Sequence, residues 1–124
     1  MRCFKTKWFA RFMRQQGLDD AALVDAIDRM RQGLVDADLG GHLFKMRIAK
    51  RGQGRSGGFR VILVYRTRER AVFVYGFAKN EKDNLSSDEL AAYKMAAADY
   101  MALTNAQIIR LVAAGSLTEV VLDA

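Results

Sequence analysis

The chain has no proline and only one cysteine, Cys3, in 124 residues. A single thiol cannot close an internal disulfide, and no Cys/His cluster at metal-ligand spacing accompanies it, so neither a disulfide scaffold nor a zinc module is encoded. Without proline, the ten glycines are left to make the tight turns. Long hydrophobic runs are also missing: no apolar stretch approaches the roughly 18 residues of a membrane span. The opening MRCFKTKWFARFMRQQG interleaves basic and aromatic residues where a signal peptide has an unbroken apolar core. These absences predict a cytoplasmic protein with no membrane partner, no metal and no cofactor.

What the chain does have is apolar material, at 51% of residues, and no low-complexity tract. That is enough to offset the ordering entropy of one core, and two domains would both be undersized, so residues 1–124 read as a single domain. The net charge of +6 is unevenly spread. Residues 1–44 carry seven Lys/Arg against six Asp/Glu, residues 45–82 eleven against two, and residues 83–124 two against six. A block of +9 in the middle third attracts polyanions such as RNA, a ribosomal surface or an acidic protein.

Hydrophobic periodicity places the elements. Trp8, Phe9, Phe12 and Met13 recur at helical spacing up to Gly17. Asp19 and Asp20 can cap a second helix with an apolar face of Leu23, Ile27, Met30 and Leu34, stopped by Gly40 and Gly41. The period then shifts to two, with Leu43, Lys45 and Arg47 on one side of a strand and Phe44, Met46 and Ile48 on the other. FRVILVY and AVFVYGFA, rich in β-branched and aromatic residues, complete a three-stranded antiparallel meander. Ser86 opens a third helix and TNAQIIRLVAAG forms a fourth, closed by Gly115. LTEVVLD can add a short strand or lie as an extended tail. The expected class is α+β: two N-terminal helices, a small antiparallel sheet and C-terminal helices, with a helical extension over about residues 105–124.

Few residues in this framework suggest chemistry. The loop RGQGRSGGFR, residues 51–60, combines glycines that permit tight backbone turns with arginines suited to phosphate, but it lacks the G-x-x-x-x-G-K-[ST] pattern of a nucleotide-hydrolase loop and no helix follows it. His42 is the only histidine and has no partner, so a structural or exposed role outweighs a catalytic one. Phe59, Tyr65, Phe73, Tyr75 and Phe77 alternate along strands as core residues do, although an exposed one could stack on RNA. What remains is a cationic surface of Lys45, Arg47, Lys50, Arg51, Arg55, Arg60, Lys79 and Lys82. Metal-free RNA cleavage needs a 2′-hydroxyl activated, a phosphorane stabilised and a leaving oxygen protonated, and arginine or lysine performs the second task readily.

The phrases HLFKMRIAK, SGGFRVILVY and YGFAKNEKDNLS, with the order of elements, resemble the RelE/ParE/HigB superfamily of toxins over about residues 1–105, and most of all its HigB-like branch. The resemblance implies a ribosome-dependent mRNA endonuclease that inhibits translation. It also implies a cognate antitoxin of the helix-turn-helix type, with messenger RNA in the decoding site and ribosomal RNA as the other partners. Lys45, Arg47, Arg60 and Lys79 match the basic positions around the scissile phosphate and are the expected catalytic set; Lys50, Arg51, Arg55 and Lys82 are the expected RNA and ribosome contacts. Asn80 stands where RelE carries an arginine, and Ser86 or its neighbours stand where RelE has a helix tyrosine. Two rival readings share the fold: a ParE-like DNA gyrase inhibitor and a non-catalytic RNA- or antitoxin-binding module.

Overall fold

FRVILVYR and RAVFVYGFA form the two longest strands, here β4 (Phe59–Arg66) and β5 (Arg70–Ala78), paired antiparallel at the centre of the sheet. The structure is a computed structural model that describes residues 1–49, 58–82 and 84–122. On one side of β4 runs β3 (Leu43–Ile48), antiparallel, followed by a short edge strand β2 (Ala37–Gly40). On the other side β5 takes β1 (Arg2–Thr6) in parallel, and β1 takes β6 (Leu117–Val120) antiparallel. The meander read from the sequence is therefore the middle of a six-stranded sheet, ordered β2-β3-β4-β5-β1-β6 among the described residues. The class is α+β, as expected, with a sheet twice as wide.

Four helices among the described residues cover this sheet from both sides. α1 (Lys7–Gln16) is capped by Thr6, whose hydroxyl accepts from the Phe9 amide, and ends at Gly17 with φ +68°. α2 (Asp20–Arg31) follows at once. Together they bury Phe9, Phe12, Leu23 and Ile27 against Met46, Val61, Leu63 and Phe73. α3 (Ser87–Ala102) and α4 (Asn105–Ala113) each begin with a capping box, Ser86 with Glu89 and Thr104 with Gln107, so two otherwise orphaned amides are satisfied at each start. Ala97 and Ile108 cover the opposite face, over Ile62, Val64, Val72 and Phe77. The Arg70 guanidinium donates to the Tyr100 and Leu103 carbonyls at 2.7 and 2.8 Å, which ties the corner between α3 and α4 to β5.

Two local features shape the working face. Pairing between β4 and β5 slips between Ile62 and Leu63, so Val74 and the next residue, Tyr75, both lie on the α3 side. Such a bulge re-aims the residues beyond it, here Tyr75 and Phe77. On the α1 side, Gly76 allows Phe12 to lie flat on β5: a Cβ there would stand 2.5 Å from Phe12 Cε2.

Several expectations are corrected. A strand, β1, precedes the two N-terminal helices. α2 stops at Arg31, because Gly33 at φ +78° turns the chain well before Gly40, and Leu34 is left 56% exposed. Gly40, expected to stop a helix, instead ends β2, and Gly41 and His42, both at positive φ, form the tight turn into β3. Of the two readings of LTEVVLD the short strand holds, as β6 paired with β1, so the extension past residue 105 is helical only as far as Ala113. No helix among the described residues is long and apolar enough to cross a membrane.

Candidate functional site

The register across β3, β4 and β5 brings the predicted cations together. Arg47 is opposite Arg60, which is opposite Phe77; Lys45 is opposite Ile62, which is opposite Tyr75. Alternation puts all six on the sheet face that α3 covers, at the end of β3 away from His42. Lys79 lies just past β5, where its amide donates to the Gly58 carbonyl at 3.3 Å, next to the Phe59–Ala78 pair. Lys45, Arg47 and Arg60 thus share one face, with Lys79 exposed at its margin. Lys50, Arg51 and Arg55 lie outside the described residues.

The partners of these cations differ. Lys45 Nζ donates to Asn84 Oδ1 at 2.7 Å, which sets the lysine toward the segment leading into α3. Arg47 is answered by Asp36, which accepts from its amide at 2.6 Å and its Nε at 3.0 Å. Arg29 reaches from α2 to the Arg47 carbonyl at 2.6 Å and fixes the same stretch of backbone. Arg60 differs: its Nη1 is buried and has no hydrogen-bond partner among the described residues. A buried donor without a partner costs free energy comparable to a lost hydrogen bond, so this guanidinium nitrogen is a local cost to the fold.

Lys82 pairs with Glu89 and stands 5.6 Å over the ring of Tyr75. The contact with Glu89 raises the Lys82 pKa, and Lys82 with the Ser86 amide holds the Glu89 carboxyl down at about 2. Lys82 therefore stays charged at neutral pH and can attract an anion, but it is a poor proton acceptor. Burial pushes the Tyr93 hydroxyl up to about 12. His42, exposed in its turn, keeps no company with the cations. Cys3 is buried in the core, and its thiol is pushed up to about 12 by burial, so it behaves as a small hydrophobe.

Of the strand aromatics, Phe59, Tyr65, Phe73 and Phe77 are core residues, while Tyr75 is only partly buried, between Trp8 and Tyr93. Sequence reasoning missed Asp36 and Asn84, which hold Arg47 and Lys45 in place. Their contacts join segments 11 and 39 residues apart, beyond the reach of any local pattern.

Residues 1–120 match the family model described as the RelE toxin of the RelE/RelB toxin-antitoxin system. The chain belongs to the RelE toxin family. It is the toxin of a toxin-antitoxin pair, and an antitoxin is its partner. No curated protein matches the chain. In this RelE-family toxin the cationic face is made by the central strands, which carry the phrases that resemble the family most closely.

Proposed function

We propose that the toxin is an endoribonuclease that acts in the cytoplasm, cuts messenger RNA in the ribosomal decoding site and so stops translation. The observation that carries this reading is the buried, unpartnered Arg60 Nη1 beside Lys45 on one rigid face. A phosphate seated there, once the side chains over Nη1 move aside, would complete the hydrogen bonding of Arg60. As the ribose 2′-hydroxyl attacks and charge builds on the phosphorane oxygens, the bidentate guanidinium stabilises that charge more than the ground state. Lys45 and Lys79 add positive charge, and Lys50, Arg51, Arg55 and Lys82 widen the field that draws in the RNA and ribosomal RNA. Arg47 is partly neutralised by Asp36 and contributes chiefly to phosphate binding. The ribosome aligns the substrate, because a face built of cations recognises backbone and not sequence.

The antitoxin is of the helix-turn-helix type in this reading, as in the HigB-like branch that the chain resembles. The test is purified toxin with messenger RNA, alone and on programmed ribosomes, with cut sites read by primer extension. Cleavage confined to ribosome-bound message is the expected result. Efficient cutting of naked RNA overturns the mechanism. Loss of DNA supercoiling in expressing cells, while protein synthesis continues, would give the protein to the gyrase-directed reading.

A further inference from the structure

Trp8 is the only tryptophan of the chain and stands 43% exposed in the first turn of α1. Its place follows from the sheet. β1 pairs with β5 only as far as Phe73 and turns at Thr6 into the helix, so the first turn of α1 lies along the edge of β5 that β1 leaves open. There the indole lies 4.8 Å from the ring of Tyr75, and Tyr75 stacks on Tyr93 at 5.1 Å and 25°. Phe12 backs the indole at 5.5 Å and 11°. An aromatic column therefore runs from α3 across the open edge of β5 to a partly solvated indole.

The surroundings of that indole are cationic. The α1 sequence KWFARFMRQQ carries Lys7, Arg11 and Arg14 and no acidic residue. Lys7 and Arg11 are exposed, and Arg11 is one helical turn from Trp8. Tyr75 is in register with Ile62 and, through it, with Lys45, two strand spacings or about 10 Å away. The indole thus borders the cationic face. Every base has a face that stacks on an aromatic ring, whereas a solvated tryptophan flanked by cations gives an acidic polypeptide only half of a matching surface.

We infer that Trp8 is a stacking platform for one unpaired nucleobase of the RNA strand that crosses the Lys45–Arg60 face, with Tyr75 orienting the indole and Lys7 and Arg11 holding the adjoining phosphates. The inference rests on the RNA-directed reading above and adds a base-binding subsite to it.

The test uses the full chain and the intrinsic fluorescence of Trp8 with two ligands that carry no free 2′-hydroxyl: a short 2′-O-methyl oligouridylate and an abasic backbone of the same length. The base-bearing strand should quench the emission and the abasic one should not, at low salt. By anisotropy of labelled strands, Trp8→Ala should bind the oligouridylate about tenfold more weakly, near the level of the abasic backbone, while Trp8→Phe keeps most of the affinity. On ribosomes Trp8→Ala should raise KM more than it lowers kcat. Equal quenching by both strands, or wild-type affinity in a folded Trp8→Ala protein, overturns the inference. So does quenching by polyglutamate alone, which would assign the surface to an acidic protein. Base-dependent quenching in a protein that cuts no ribosomal message would sink the nuclease reading and leave the subsite standing.

Discussion

Arg47 and Arg60 face each other directly across β3 and β4, two like charges in one cross-strand pair. Such a pair destabilises a sheet, and among the described residues only Arg47 has a carboxylate to offset it. The protein thus carries a cost at Arg60 that the fold does not need. Arg60→Met should remove it, raising the thermal midpoint while cleavage on ribosomes falls on the order of a hundredfold, the scale for losing one preorganised donor. Arg60→Lys should recover part of the activity, since an ammonium keeps the charge without the bidentate fork. A variant that melts lower and cuts as well as wild type would refute both halves.

Asp36 should matter more than its place before an edge strand suggests. It accepts from the Arg47 amide and guanidinium and lies 3.9 Å from Arg29. Asp36→Ala leaves Arg47 directly opposite Arg60 with no answering charge. The expected loss is about 1–2 kcal/mol in denaturant unfolding, with faster amide exchange along β3.

The start of α3 should loosen in acid. The Glu89 pKa is depressed in the folded protein, so its contribution is fully present above the ordinary carboxylate range, near 4.5, and is lost as pH falls toward about 2. Amide exchange in the first turn of α3 should therefore rise between about pH 5 and 2, and Glu89→Gln should abolish most of that dependence. Lys82 is raised, so its share of the same contact is lost only in strong alkali.

Cys3 should resist alkylation in the native state. The thiol is fully buried and its pKa is pushed up to about 12, so at pH 8 neither the thiolate nor a path to it exists. Iodoacetamide should label the protein only after unfolding, and labelling at a rate near that of a free thiol under native conditions would contradict the placement of β1.

The elements that sequence revealed are those whose signals are local. The cap at Ser86, the alternation from Leu43 to Ile48 and the β-branched runs of β4 and β5 each lie within a few residues. β1 escaped because RCFKT is five residues long and its parallel partner, starting at Arg70, is far along the chain. β2 escaped because Ala37–Gly40 has no strand-forming composition and is held by its tight turn into β3. Periodicity places Leu34 on the face of α2 because the apolar spacing continues through Gly33, where the helical backbone does not. For the site, alternation alone put Lys45 and Arg47 on one side, but the like-charged pair across β3 and β4 depends on register, and the bulge that re-aims Tyr75 has no mark in the sequence.

The two outermost strands on the β5 side come from opposite ends of the described chain, and the Arg2–Glu119 ion pair at 2.9 Å joins residues 117 apart. Contacts of such separation form late, because their loop-closure entropy must be met before they reward it. During synthesis β1 waits for β5 before it can pair at all, and its outer edge stays open until β6 has cleared the exit tunnel. Until then the free edge of β1 is the part of the growing sheet most open to pairing with a strand from another chain.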